Sequence, residues 1–312
     1  MEEKYVVALG VACMDEYYAA DQWVAEGEKG IVRCTGSKVG GMIPNAACVL
    51  AGLGKKTYMI TALNSGNNSR IIREDLEKWK LDLSYAITDD GVPDLKCIIV
   101  NTPAERTILV SDSSGIRYPV EEPLRELLMG AECIYTSMME FHRLEGWEEL
   151  AKSLTENGVK LVFDLETSTF DSWEDPLFQY ASLLFFNEEG WKKMKSGRTD
   201  GECMEELFCH QAEAVVITLG ADGCYCRSRE KEVRIPGNPV KVVDPTGAGD
   251  TFNCTFTACW LSGMELADAA ELSNAAGAHA VTVHGPRGGI ASMEDMKKRM
   301  ELFRQERGEA KS

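Results

Sequence analysis

Late in the chain, the run Val242-Val243-Asp244-Pro245-Thr246-Gly247-Ala248-Gly249-Asp250-Thr251-Phe252 combines residue types that can hold and move a phosphoryl group. The β-branched pair Val242 and Val243 predicts the end of a short strand. Pro245 and two glycines break regular structure, and the apolar run from Phe252 to Leu261, closed by Gly263, predicts a buried helix. The first turn of that helix falls on Gly247 to Thr251. Backbone N–H groups there lack intrahelical partners, and the glycines let an anion approach with no Cβ in the way. Asp250 adds a carboxylate to this anion-binding turn. A fixed negative charge would repel a phosphate, but it suits a group that takes the proton from a hydroxyl attacking that phosphate. Capping the helix is the other role open to Asp250, and the residues alone leave both standing. A dinucleotide-binding turn does not fit, because Phe252 stands where the third glycine belongs.

Asp244 to Phe252 resembles the C-terminal signature of the ribokinase-like (PfkB) carbohydrate kinases. The resemblance implies that the amides of Gly247, Ala248, Gly249 and Asp250 form an anion hole for a γ-phosphate and that Asp250 is the catalytic base. It implies ATP and Mg²⁺ as cofactors. It also implies a K⁺ site beside the anion hole, around Asp244, Thr246 and the loop near Gly289. A second stretch extends the likeness. Gly40-Gly41-Met42-Ile43-Pro44-Asn45 opens a small-residue helix to about Ala51, with Leu53-Gly54 beyond, and is similar to the family's N-terminal signature. Asn45 can both donate and accept towards a polyol. Asp15 follows the apolar run Tyr5 to Leu9, beyond the carboxyl end of a strand, where parallel α/β sheets bind ligands. On residues alone an Asx-turn explains it equally well; the resemblance makes Asp15, with Gly40, Gly41, Asn45 and Asp250, the substrate grip. Met42 stands where ribokinases proper usually carry Lys, and Glu166 stands where many fructokinase-like members carry Asn. Both departures argue against the commonest sugars of the family.

Two further turns lie at strand ends. Asn187-Glu188-Glu189-Gly190 follows Leu183 to Phe186 and offers two carboxylates, and Mg²⁺ takes one or two. The family pattern is Asn-x-x-Glu; Gly190 holds its last place, which leaves Glu188 or Glu189 as substitutes. Thr218-Leu219-Gly220-Ala221-Asp222-Gly223 resembles the family's nucleotide turn, although strand-Gly-x-x-Gly alone is only a hairpin turn. The resemblance assigns Asn187, Thr218, Gly220 and Gly223 to the nucleotide. It sets Asn274 on the adenine side, with the loop His284-Gly285-Pro286-Arg287-Gly288-Gly289 nearby. His279, alone on an alanine-rich helix, reads as packed core.

Positioning these groups requires strands that end side by side. Tyr5–Leu9, Cys133–Tyr135, Lys160–Asp164, Leu183–Phe186 and Ala214–Thr218 are short apolar runs with helical patterns between them, such as Gly146 to Asn157. Regular alternation of this kind predicts an α/β fold with a mainly parallel sheet flanked by helices. Leu95–Val100 and Thr107–Ser111 flank a turn and predict a hairpin that, with residues 12–39, makes a small separate sheet. The resemblance turns this sheet into a lid, with segments at about 12–39 and 92–118 inside a single ribokinase-like domain spanning 1–312, and a surface for homodimer contacts. Glu105-Arg106-Thr107 is similar to the family's Glu-Arg-Thr; Arg106 is expected to be solvated. The stretch Glu294 to Ser312 predicts a charged helix fading into disorder.

Composition narrows the partners. Thirty-three basic against 50 acidic residues give a formal net charge of −17, which disfavours nucleic acid and anionic membranes. Eleven cysteines form no C-x-x-C pair and do not group with the four histidines, so free thiols in a reducing cytoplasm are expected. No apolar stretch reaches the roughly 20 residues that span a bilayer. The expectation is an ATP-dependent kinase acting on a hydroxyl of a small sugar-like substrate. Because Lys29, Arg33 and Lys38 are scattered, that substrate is expected to carry no phosphate. A nucleoside kinase, with Tyr17, Tyr18 and Trp23 as stacking candidates, and a non-catalytic sensor are the alternatives.

Overall fold

Strand β1 (Tyr5–Leu9) shows how the molecule is layered: Val7 and Leu9 pack into one hydrophobic core, Val6 and Ala8 into another on the opposite face. Alternate residues point to opposite faces, so a strand apolar at every position must be covered on both sides. The structure is a computed structural model and describes residues 4–306. In it β1 lies between β4 (Lys56–Ile60) and β9 (Cys133–Thr136), followed outward by β10 (Lys160–Leu165), β11 (Ala181–Asn187) and β12 (Ala214–Thr218), all parallel. Two antiparallel strands, β13 (Cys224–Ser228) and β14 (Glu232–Ile235), complete an eight-stranded sheet at that edge. Cys224 and Cys226 face the same core from β13, which accounts for their spacing.

One face of this sheet is covered by α3 (Glu122–Met129), α4 (Met138–Phe141), α5 (Trp147–Glu156), α6 (Glu188–Lys195) and α7 (Asp200–Cys209). The other is covered by α1 (Met42–Gly52), α2 (Asn67–Lys78), α8 (Ala248–Leu261), α9 (Leu266–Ala280) and α10 (Met293–Glu306). A separate four-stranded sheet has the order β3-β2-β7-β8, built from β2 (Cys13–Ala19), β3 (Arg33–Gly40), β7 (Lys96–Asn101) and β8 (Arg106–Val110). A two-stranded ladder joins β5 (Ala62–Leu63) to β6 (Ile87–Thr88). The α/β class and the small second sheet agree with the sequence reading.

One local expectation fails. Val242 and Val243 are not in a strand and are exposed. Strand β14 ends at Ile235, and the chain beyond it leaves the sheet edge. The amides of Val243 and Asp244 instead donate to the Val281 carbonyl at the end of α9, at 2.7 and 3.1 Å. β-Branched residues favour a strand only where an edge is available to pair with. In the C-terminal stretch, α10 is helical to Glu306, and 307–312 lie outside the described residues.

Candidate active site

The carboxyl ends of the parallel strands face the small sheet, and the start of α8 lies between them. Its N-cap, Gly247, has φ 79° and ψ 4°. A Cβ there would stand 2.3 Å from the Pro286 carbonyl oxygen, so only glycine fits. Above Gly249 there is open space, with nothing within 4 Å of where a Cβ would be. The Ala248 amide donates to the Pro245 carbonyl at 3.3 Å, while the Gly249 and Asp250 amides, as first-turn donors without an intrahelical partner, are left towards the open space. Asp250 lies in the same turn and is partly exposed.

Asp250 is surrounded by other charges. Lost hydration holds its carboxyl well above the usual range, and the charges of Asp164 and Glu166 push it further; a hydrogen bond from Asn45 and the charge of Arg287 oppose this. Asp164, at the end of β10, accepts from Tyr135 Oη at 2.7 Å and Asn253 Nδ2 at 2.9 Å. Burial pushes Asp164 up to about 6, against those two hydrogen bonds.

Asp15 and Asn45 reach the same place from the other side. Asp15 is buried on β2, and its carboxylate fills the space beside Gly40, where a Cβ would come within 2.1 Å of Oδ2. Gly41 caps α1 at φ 107°, its missing Cβ 2.6 Å from the Val11 carbonyl. Asn45 is buried on α1 and accepts from Arg287 Nε at 2.9 Å, while Arg287 Nη1 donates to Asp75 at 2.5 Å. The sequence reading had placed Arg287 only in a loop near the nucleotide. It is buried, and its charge reaches both Asp15 and Asp250. Lys38 also leans in, with Nζ 3.2 Å from the Cβ position of Gly285. Two cations therefore stand at a site expected to have none grouped. Both line a cavity of about 640 Å³ with Met14 and Trp79 among others; Asp15, Asn45 and Asp250 are not in its lining.

From the small sheet, Arg106 Nη1 donates to Thr246 Oγ1 at 3.1 Å. This arginine was expected to be solvated; it is exposed, but it touches the anion-binding turn.

The remaining candidates lie at the ends of β11 and β12, in the turn that follows β12, and on α9. Asn187 caps α6, its Oδ1 accepting from the Gly190 amide at 2.7 Å. Glu188 and Glu189 are exposed, with Glu189 3.9 Å from Lys192. Gly190 is buried, and a Cβ there would meet the Leu165 carbonyl at 2.4 Å and Glu166 Cα at 3.1 Å. A glutamate therefore cannot occupy position 190 while β10 ends as it does. The carboxylate from that region that Asp250 feels is Glu166. Thr218 ends β12, and Gly220 (φ 55°) and Gly223 (φ 95°) form the following turn. There Gly223 and Gly237 approach opposing backbone so closely that a Cβ would stand 2.0 Å from the Ile235 carbonyl and 1.8 Å from the Ala221 carbonyl, respectively. Asn274 is buried on α9 and donates to the Pro236 carbonyl at 2.6 Å.

Both oxygens of Asp244 accept amides, from Thr246 and Gly285, each at 2.9 Å. Each of these oxygens keeps a further lone pair, and the Arg106 guanidinium lies against the neighbouring Thr246 hydroxyl.

The family model described as "pfkB family carbohydrate kinase" matches residues 3–292. The chain belongs to the pfkB family of carbohydrate kinases. As a member it is a phosphotransferase with an alcohol group as acceptor. Among relatives, an ATP-dependent ribose-1-phosphate kinase of Halopiger xanaduensis is 26% identical over 84% of this chain and 86% of its own length. A 5-dehydro-2-deoxygluconokinase of Bacillus subtilis is 26% identical over 95% of each chain. The structure of Arabidopsis thaliana ribokinase complexed with ribose and ATP superposes with a TM-score of 0.82 at 18% identity, covering 96% of this kinase and 99% of that one. In this pfkB kinase no helix of the described residues is long and apolar enough to cross a membrane.

Proposed function

We propose that this kinase transfers the terminal phosphoryl group of ATP to a hydroxyl of a small, unphosphorylated, sugar-like substrate, with Asp250 as general base. The observation that carries the reading is the pairing of a proton-hungry carboxyl with the unpaired first-turn amides of α8 beneath open space. Asp15 and Asn45 accept and donate to the substrate hydroxyls and fix the attacking one against Asp250. Asp250 takes that proton, and the amides of Gly247 to Asp250 hold charge on the transferred group. Mg²⁺, when bound with the nucleotide, neutralises phosphate charge; Glu166 and the strand-end residues Glu188 and Glu189 are the carboxylates able to hold it through water. Thr218, Gly220, Gly223, Asn187 and Asn274 make the nucleotide side.

Arg287 favours one refinement. Arg287 is paired with Asp75 and donates to Asn45, which leaves its Nη2 without a partner, and Lys38 is the second cation nearby; one free guanidinium nitrogen beside one lysine suits a carboxylate. Sugar acids therefore head the substrate list, in keeping with a relative named for a gluconate derivative. The experiment is ADP release over sugars, sugar acids, sugar phosphates and nucleosides, with Asp250→Asn beside the wild type. Turnover of the variant should fall by about 10²–10⁴, with ligand affinity retained. Near wild-type turnover would make Asp250 a helix cap. Wild-type protein that binds both ligands and transfers nothing would be a sensor.

A further inference from the structure

Cys13 and Cys97 stand on the neighbouring strands β2 and β7 at the root of the small sheet, with their sulfurs 3.6 Å apart. Cys13 Sγ lies 3.7 Å from Asp15 Oδ1. One ligating atom from each of the three residues lies within 4.8 Å of the other two. Strand register produces the cluster. Asp15 is directly opposite Cys97, and Cys13, two residues before Asp15, projects from the same face of β2. Two thiols and a carboxylate thus converge on one point from backbone that is fixed by hydrogen bonding.

The spacing is informative. With Zn–S near 2.3 Å and Zn–O near 2.0–2.2 Å, a tetrahedral zinc site has ligand-to-ligand edges of about 3.5–3.8 Å. The two separations given above fall in or at the edge of that range without movement of the chain. The other close sulfur pair, Cys224 and Cys226 at 3.9 Å, sits in the core and has no such carboxylate beside it. Cys13 and Asp15 are more than nine-tenths buried, while Cys97 is partly exposed and leaves an entry. Thiolate donors select a soft divalent ion over Mg²⁺.

We propose that Cys13, Asp15 and Cys97 form a three-ligand Zn²⁺ site, with the fourth position left to water. The ion shares Asp15 with the substrate hydroxyls, so Zn²⁺ and substrate compete. That competition rests on the function proposed above; the metal site does not.

The test uses Co²⁺ as a spectroscopic probe on reduced, full-length protein without nucleotide. A one-to-one complex with thiolate-to-cobalt charge transfer and tetrahedral d–d bands, displaced by Zn²⁺, is the expected result. Cys97→Ser and Cys13→Ser should each weaken binding at least tenfold and diminish the charge-transfer band, with circular dichroism unchanged. Replacing the exposed Cys34 and Cys209 should change nothing. Absence of a one-to-one complex, or one that survives Cys97→Ser intact, overturns the site. Loss of two titratable thiols with no metal uptake, meaning a disulfide, overturns it as well. In turnover assays Zn²⁺ should raise KM for the substrate and leave kcat unchanged; metal binding with an unaltered KM overturns the competition. Because the spectral arm needs no catalysis, failure of the metal site and failure of the kinase reading are distinguishable.

Discussion

Replacing Asp164 with Asn should change how stability depends on pH. Burial lifts the Asp164 carboxyl from its ordinary 3.8 to about 6. Burial favours the neutral acid, so the folded state holds this proton more tightly than the unfolded chain. The resulting destabilisation is absent below 3.8, grows as pH rises, and is complete above about 6. Two pH units correspond to about 3 kcal/mol at neutral pH, of which about 1.5 kcal/mol is already present at pH 5. Asparagine is nearly isosteric and still offers an oxygen to Tyr135 Oη and Asn253 Nδ2, the two donors that meet Asp164. The variant should therefore gain stability relative to wild type between pH 5 and pH 7.5, by about 1.5 kcal/mol across that window. Urea unfolding of both proteins at half-unit pH steps measures this directly. Parallel curves within about 0.3 kcal/mol would refute the buried-charge argument. Because the Asp164 charge also raises Asp250, the acid limb of the variant's pH–rate profile should move to lower pH.

Arg106→Ala removes one charged hydrogen bond to Thr246, so kcat/KM should fall about tenfold, with unfolding free energy within about 0.5 kcal/mol of wild type; unchanged kinetics would make the contact idle. Gly190→Ala drives a Cβ to 2.4 Å from the Leu165 carbonyl and should cost about 1–3 kcal/mol in urea unfolding, and an unaltered midpoint would mean that the 165–166 segment gives way easily. Leu109 and Val110 expose apolar surface on the small sheet, Ile31 does so in the connection before β3, and β8 is an edge strand, so the protein should run as a dimer in light scattering at micromolar concentration and Val110→Lys should weaken it. A strict monomer with full turnover would remove the dimer.

The parallel strands were legible because each is a short apolar run between helical patterns, and burial on both faces leaves no other reading. The helix start at Gly247, with Asp250 in its first turn, was legible because the turn chemistry is local. What sequence hid is long-range or negative. Arg287 meets Asn45 across 242 positions, and nothing in the intervening chain announces it. Gly190 looked like a missing ligand; the structure shows a neighbour's carbonyl in the space a side chain would need. Val242 and Val243 misled because β-branching signals a strand only if an edge exists to receive it. Cys13 and Cys97 were counted as two ordinary thiols, since register, not spacing along the chain, brings them together.

The interlocked glycines Gly223 and Gly237 set the two sides of the cleft apart in mobility. Their backbones meet so closely that the turn assigned to the nucleotide cannot shift without β14 shifting too. The small sheet opposite has two free edges and a largely exposed β8, so its amides should exchange with solvent much faster than those of β12 and β13. ATP would then meet a surface that is already shaped and lose little in ordering it. The sugar-side ligand would have to draw a looser sheet into place, spending part of its binding free energy there. Substrate discrimination would accordingly be concentrated in how well each candidate stabilises the closed small sheet, and nucleotide affinity would vary little between them.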